Sequence, residues 1–227
     1  MKTHAINLLK RLAAVVLFVP ALAMAAGGDV HLDKAPVSTD QQKLQRGAKL
    51  FVDYCLNCHA ASMMRYSELR KIGFDDKAIA DNLIFTGGKV GDLMTVAMTR
   101  DDAEAWFGTA PPDLSLIARA KASETASGAD YLYTYLRTFY KDESRPTGWN
   151  NKVFPSVGMP HAMWDKQESM SESEYDETVA DLVSFLVWMG EPVAGTRKMI
   201  GIFVLIFLAG FYVLTHKLGK TYWKDIH

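Results

Sequence analysis

Apolar and polar positions along the chain divide it into three regions of different character. Near the N-terminus, Ala13 to Leu22 is an almost unbroken apolar stretch, interrupted by Pro20 and preceded by Lys2, Lys10 and Arg11. Near the C-terminus, Met199 to Leu214 is apolar, with no charge until His216 and Lys217. Between them the pattern is amphipathic, and mostly at helical spacing. Leu44, Ala48, Phe51 and Val52 predict a helix over 40–54, and Ala129–Tyr140 reads as an aromatic-rich helix. Shorter helices are expected over 103–107 and 115–121. Ser171 and Glu174 form a capping box ahead of Val179, Leu182, Val183 and Leu186 on one face. The acids Glu172, Glu174, Asp176 and Glu177 cluster in the first turns of that helix, where its dipole favours them. Gly- and Pro-bearing loops separate the helices at 86–91, 108–112 and 145–160, and strand signals are scarce.

The two apolar ends have different meanings. A basic stretch, a short apolar run and Ala23-Met24-Ala25 make residues 1–25 an export signal cleaved after Ala25. That run is too short to span a bilayer. As a helix, Met199–Thr215 would be about 26 Å long, close to the ~30 Å hydrocarbon core. It carries no polar stripe of the kind a buried core helix shows. Arg197, Lys198 and Lys217 flank it, and Tyr212, Tyr222 and Trp223 suit an interface. The expected organisation is therefore a signal peptide over 1–25, an exported domain over 26–197, a transmembrane helix over 198–216 and a short cytoplasmic tail over 217–227.

Charge sharpens this division. The whole chain of 227 residues carries a formal net charge of −1, which excludes a basic nucleic-acid binder. Residues 26–196 alone hold 17 Lys and Arg against 25 Asp and Glu, a formal charge of −8. Such a surface attracts a basic partner, although solubility is an equally good reason for it. Only two cysteines occur, so a disulfide scaffold and a four-cysteine zinc site are both excluded.

Those two cysteines carry the chemistry. Cys55-Leu56-Asn57-Cys58-His59 has the spacing of a c-type haem attachment sequence. Two thiols three residues apart on one turn reach the two vinyl groups of one porphyrin, and the next histidine lies under the iron as proximal ligand. The spacing also occurs in thiol redox pairs, but those need a βαβ setting, and this turn follows a helix. Zinc would need two further ligands. A structural disulfide between Cys55 and Cys58 is the remaining alternative in an oxidising compartment.

A six-coordinate haem needs a distal ligand, and several side chains compete. Met63 and Met64 follow His59 too closely to reach the opposite face. Met94 and Met98 sit in a turn-helix segment, and Met189 suits the core. Met159 lies in Phe154-Pro155-Ser156-Val157-Gly158-Met159-Pro160-His161, where two prolines and a glycine stiffen a non-helical loop. Pro160 biases Met159 towards an extended backbone. Met163 and His161 come next, and His31 is the last candidate.

The ordered set of motifs resembles the cytochrome c1 family, the haem subunits of quinol:cytochrome c oxidoreductase (the cytochrome bc1 complex). The resemblance rests on Cys55–His59 with Gly47 and Phe51 before it, on Ala110-Pro111-Pro112-Asp113-Leu114-Ser115, and on Asp130-Tyr131. Pro146-Thr147-Gly148, Val157-Gly158-Met159-Pro160 and Trp188-Met189-Gly190-Glu191-Pro192 before a single anchor complete it. It implies a mostly α, class I cytochrome c-like fold with inserted loops and one C-terminal transmembrane helix. It implies one covalent haem c on Cys55 and Cys58, with His59 and Met159 as axial iron ligands. Pro111, Pro112, Arg119, Lys121 and Tyr131 would line the haem pocket. Where the family often has Arg-Ala-Arg, this chain has Arg119-Ala120-Lys121, and lysine lacks the bidentate fork.

The implied role is an electron-transfer subunit with no bond chemistry of its own. It would take electrons from the Rieske iron–sulfur protein, sit beside a cytochrome b subunit and reduce an exported cytochrome c. The implied location is the bacterial inner membrane, with the haem domain in the periplasm. The rivals are an anchored cytochrome feeding a terminal oxidase or reductase, and a thiol–disulfide oxidoreductase using Cys55 and Cys58.

Overall fold

The computed structural model describes residues 30–224. The expected signal peptide lies outside the described residues. The chain divides after Leu32, and every element below belongs to the unit that starts at Asp33.

Helix α1 (Gln41–Leu50) begins where the Asp40 carboxylate accepts the Lys43 N–H at 3.0 Å, satisfying one of the free donors of the first turn. It buries Leu44, Gly47 and Ala48. The predicted helix runs on to Tyr54, but the α-helix stops at Leu50 and the chain widens into one π turn, Phe51–Cys55, with Leu56 N–H bonded to Phe51 O at 2.9 Å. This extra residue changes the phase of the side chains that follow, as π turns commonly do beside functional sites.

After the cysteine turn come strand β1 (Ala61–Arg65), a 3₁₀ segment (Tyr66–Ile72) closed by Gly73 at φ 89°, and the short helix α2 (Asp76–Asn82). Strand β2 (Leu93–Met94) pairs antiparallel with β1 across a register irregularity. Helix α3 (Arg100–Phe107) and helix α4 (Ile117–Ala120) flank the Pro111-Pro112 segment. Helix α5 (Gly128–Arg137) starts from a capping box between Ser127 and Asp130. Gly128 is required there, because a Cβ would lie 2.0 Å from the carbonyl oxygen of Ala118 in α4.

The predicted aromatic helix ends three residues early. Phe139–Lys141 forms strand β3, paired in register with β4 (Trp149–Asn151) as Phe139 opposite Asn151. Tertiary pairing there outweighs the helical spacing of the aromatics.

Helix α6 (Trp164–Ser169) leads to α7 (Glu172–Gly190), which carries the expected Ser171–Glu174 capping box and is buried along Tyr175, Val179, Leu182, Val183, Phe185, Leu186 and Met189. Helix α1 packs on α7, and the two backbones meet at Gly47, where a Cβ would stand 2.1 Å from Asp181 O. The Phe51 and Phe185 rings lie 5.6 Å apart beside that crossing, and Arg46 pairs with the buried Asp181 at 2.6 Å. Helix α5 packs on the same α7. Arg137 forks onto Asp176 and reaches Asp33 at 3.0 Å.

Helix α8 (Ala194–Tyr222) has 29 residues, about 43 Å at 1.5 Å per residue, and none of it is buried. It is long and apolar enough to cross a membrane. It starts five residues before the predicted Met199, because the α-helix continues through the polar Thr196, Arg197 and Lys198.

Candidate haem site

The π turn delivers Cys55 to the start of a tight turn in which the N–H groups of Cys58 and His59 both bond to Cys55 O, at 3.1 and 2.8 Å. Both cysteines are free thiols and half-buried. Desolvation, helped by the neighbouring Cys58 sulfur, pushes the Cys55 thiol up to about 12, so it stays protonated at neutral pH.

His59 is buried, and its Nδ1 lies 2.8 Å from the carbonyl oxygen of Pro112. A carbonyl can only accept, so Nδ1 carries the proton and Nε2 carries the lone pair. Nε2 has no hydrogen-bond partner among the described residues. Burial lowers the imidazole pKa, against opposing contributions from the Pro112 bond and the Asp113 charge, which favours the neutral ring. A neutral imidazole with Nδ1–H fixed on a carbonyl is the form in which histidine ligates metals through Nε2.

The Pro112 carbonyl is held by its neighbour. Asp113 accepts Ser62 N–H and Ser115 N–H, each at 2.8 Å, and Leu114 N–H bonds to Ala60 O at 2.8 Å. These bonds tie the proline segment to the chain just after His59. Residue spacing alone does not signal this brace, although Asp113 followed by Ser115 is a recurrent side-chain turn.

The distal candidates separate clearly. Met94 lies in β2, fully buried in the core, and Met64, Met163 and Met189 are core residues too. Met63 projects from β1 at 72% exposure. The pair Met63-Met64 therefore lies on a strand and alternates across it. His161 is buried, stacked on Phe139 with centroids 4.6 Å apart, edge-on to Trp149, and bonded to Gln167 at 2.5 Å. That ring is committed to packing. His31 lies before the division at Leu32. Met98 and Met159 remain as half-buried methionines outside the core cluster. Of these, Met159 alone accepts a hydrogen bond, from Tyr135 Oη at 3.4 Å. Tyr135 stacks on Tyr131, four residues earlier on α5, at 6.0 Å and 10°.

Among the other expected pocket residues, Lys121 Nζ stands 5.0 Å from the Tyr131 ring centroid. Arg119 is separate: its exposed side chain turns to Glu191 at 3.4 Å, and Glu191 is also paired with Arg197 at the start of α8. Pro111 is half-buried and Pro112 contributes its carbonyl.

Free paired thiols, a histidine with an open Nε2 and a loop methionine outside the core together fit a covalently attached haem. An attachment turn closing the first helix, packed against a long C-proximal helix, belongs to a c-type cytochrome. More particularly, the chain belongs to the Cytochrome C1 family, whose model matches residues 31–226. It is 47% identical to a protein of Nitrosomonas europaea named ammonia monooxygenase gamma subunit, over 97% of this chain and all of that one. It is 42% identical to cytochrome c1 of Allochromatium vinosum, over 95% of this chain and 98% of that one. A Candida albicans protein named cytochrome b-c1 complex catalytic subunit is 26% identical over 82% of this chain and 73% of its own length.

Proposed function

We propose that the chain is a membrane-anchored, mono-haem electron carrier of a quinol:cytochrome c oxidoreductase. It accepts single electrons from the Rieske iron–sulfur protein and delivers them to an exported cytochrome c, beside a cytochrome b subunit. The observation that carries this reading is the Cys55–His59 turn, with the Nδ1 proton of His59 fixed on Pro112.

Cys55 and Cys58 would hold a haem c as thioethers, and the His59 imidazole and the Met159 thioether would be the iron's two protein ligands. Bound there, a haem c supplies a one-electron couple whose potential the thioether ligand raises. The Pro112 carbonyl keeps the His59 ring in one orientation, and Lys121 over Tyr131 offers a cation for a propionate. Tyr135 donates a hydrogen bond to the Met159 sulfur and would help orient the thioether that ligates the iron. No side chain moves a proton in this role.

The signal over 1–25 exports residues 26–197 to the periplasmic face of a bacterial inner membrane, residues 198–216 span it, and residues 217–227 form the cytoplasmic tail. The 47% identity to a protein named as an ammonia monooxygenase subunit supports a second reading, in which the same carrier serves that enzyme. A pyridine haemochrome assay on the denatured chain tests the haem, since a thioether-bound group stays with the polypeptide. Purifying the native membrane assembly separates the two roles: cytochrome b and a Rieske protein support the first, and monooxygenase subunits support the second.

A further inference from the structure

We propose that Arg145 and Asn150 are positioning residues for the Met159 loop and act through the backbone of Ser156, an inference that rests on Met159 being the iron ligand. Ser156 has φ 64° and is, among the described residues, the one non-glycine with a positive φ. The left-handed region is costly for serine, and such a conformation persists only where the surroundings impose it. Here both of its backbone groups are bound by side chains. Its N–H donates to Asn150 Oδ1 at 2.9 Å, and its carbonyl accepts from Arg145 Nη2 at 2.8 Å.

Both clamping residues are themselves fixed. Asn150 is buried in β4; its Oδ1 also accepts Asn151 N–H at 2.9 Å, and its Nδ2 donates to Asp142 at 2.8 Å. The fully buried Asn151 holds the same loop one step earlier, accepting Val153 N–H at 2.9 Å and Phe154 N–H at 3.1 Å while donating to Tyr135 O at 2.7 Å. Arg145 sits in a turn closed by Arg145 N–H on Asp142 O and Gly148 N–H on Arg145 O. Its Nε is buried with no partner, while its Nη2 donates to the Ser156 carbonyl and reaches the Val157 carbonyl at 3.5 Å. Ser156 precedes Met159 by three residues. Released from the clamp, it relaxes to an ordinary backbone and redirects the chain that carries the sulfur.

Imidazole binding to the full-length, haem-loaded ferric protein reads this directly, because imidazole takes the distal position only when Met159 has left. Its apparent affinity scales with the ligand-off population. Arg145→Ala should raise that affinity about tenfold, the effect of one unfavourable left-handed residue, with little change in the thermal midpoint. Adding Ser156→Gly to Arg145→Ala should restore near-wild-type affinity, since glycine adopts a positive φ freely. Ser156→Val, with Arg145 intact, should also raise imidazole affinity at least tenfold. Unchanged imidazole affinity in Arg145→Ala or Ser156→Val, or no rescue by Ser156→Gly, overturns the clamp. A wild-type protein without a sulfur–iron band overturns instead the Met159 assignment beneath it.

Discussion

Tyr135 donates its hydroxyl hydrogen to the sulfur of Met159 across 3.4 Å. Burial, with a smaller contribution from Tyr131, pushes the Tyr135 phenol far above its ordinary value, so it remains a donor at any working pH. A thioether that accepts a hydrogen bond gives less density to ferric iron. Tyr135→Phe should therefore keep both thioethers and the sulfur–iron band but lower the reduction potential. One lost hydrogen bond of about 1 kcal/mol sets the limit, roughly 40 mV for a one-electron couple. Potentiometry on the mutant checks this, and an unchanged potential would remove Tyr135 from the site.

The α1–α7 crossing is the second point of strain control. Ala at Gly47 would put a Cβ 2.1 Å from Asp181 O and 2.7 Å from Phe185 Cβ, both in the packed core. Overpacking of this kind costs about 1–3 kcal/mol, and here the closest obstacle is backbone. Gly47→Ala should lower the thermal midpoint of the haem-loaded protein and reduce its yield, both measurable by circular dichroism and haem absorbance.

Acid should loosen the His59 brace. Partial burial is the largest single influence on Asp113 and pushes its carboxyl up, but hydrogen bonds from Ser115 and Ser62 together outweigh it and hold the group below the usual 3.8. A depressed carboxyl contributes stability above its unfolded value and loses it as pH falls through the folded one. The contribution of Asp113 is therefore complete above about pH 4 and disappears below it. Asp113→Asn should be slightly less stable at pH 7 and should show a shallower acid limb in a pH-unfolding series. An acid limb identical to wild type would show that Asp113 takes no part.

How much of this was legible beforehand depended on how local each signal is. Ser171 and Glu174 cap α7 as their spacing predicts, and Cys55, Cys58 and His59 lie on one turn as the motif requires. These features need only neighbours within a few residues. The early end of α1 was not legible, because the π turn at Phe51–Cys55 answers to the packing of Phe51 on Phe185, 134 positions away. Phe139 kept a helical period but joined β4, since Asn151 and His161 supply partners that no window around Phe139 contains. Tyr135 was visible only as another apolar position on α5. Its place four residues after Tyr131, on the same face, is the signal that could have marked it. The contact of Arg119 with Glu191 spans 72 residues and lies outside any local window.

The anchor should be separable from the haem domain. The core helices end with α7 at Gly190, and α8 has no buried residues. A chain stopped near Thr196 should fold, attach haem and be released in soluble form. Among the ion pairs of the described residues it loses Arg197–Glu191, a surface pair that contributes little to stability. Fractionation of membranes from cells expressing the truncated chain decides this, and retention in the membrane would assign a second anchoring element.

The axial pair is tested most directly by the sulfur–iron charge-transfer band at the red edge of the oxidised spectrum, compared between Met159→Leu and Met163→Leu. Met163 is a core residue, so its replacement by leucine conserves volume and should cost less than about 1.5 kcal/mol while keeping the band. Met159→Leu should retain covalent haem on Cys55 and Cys58, lose the band and drop substantially in potential. A Met159→Leu protein that keeps the band, or a Met163→Leu protein that alone loses it, would contradict the assignment of His59 and Met159 as the iron's two protein ligands.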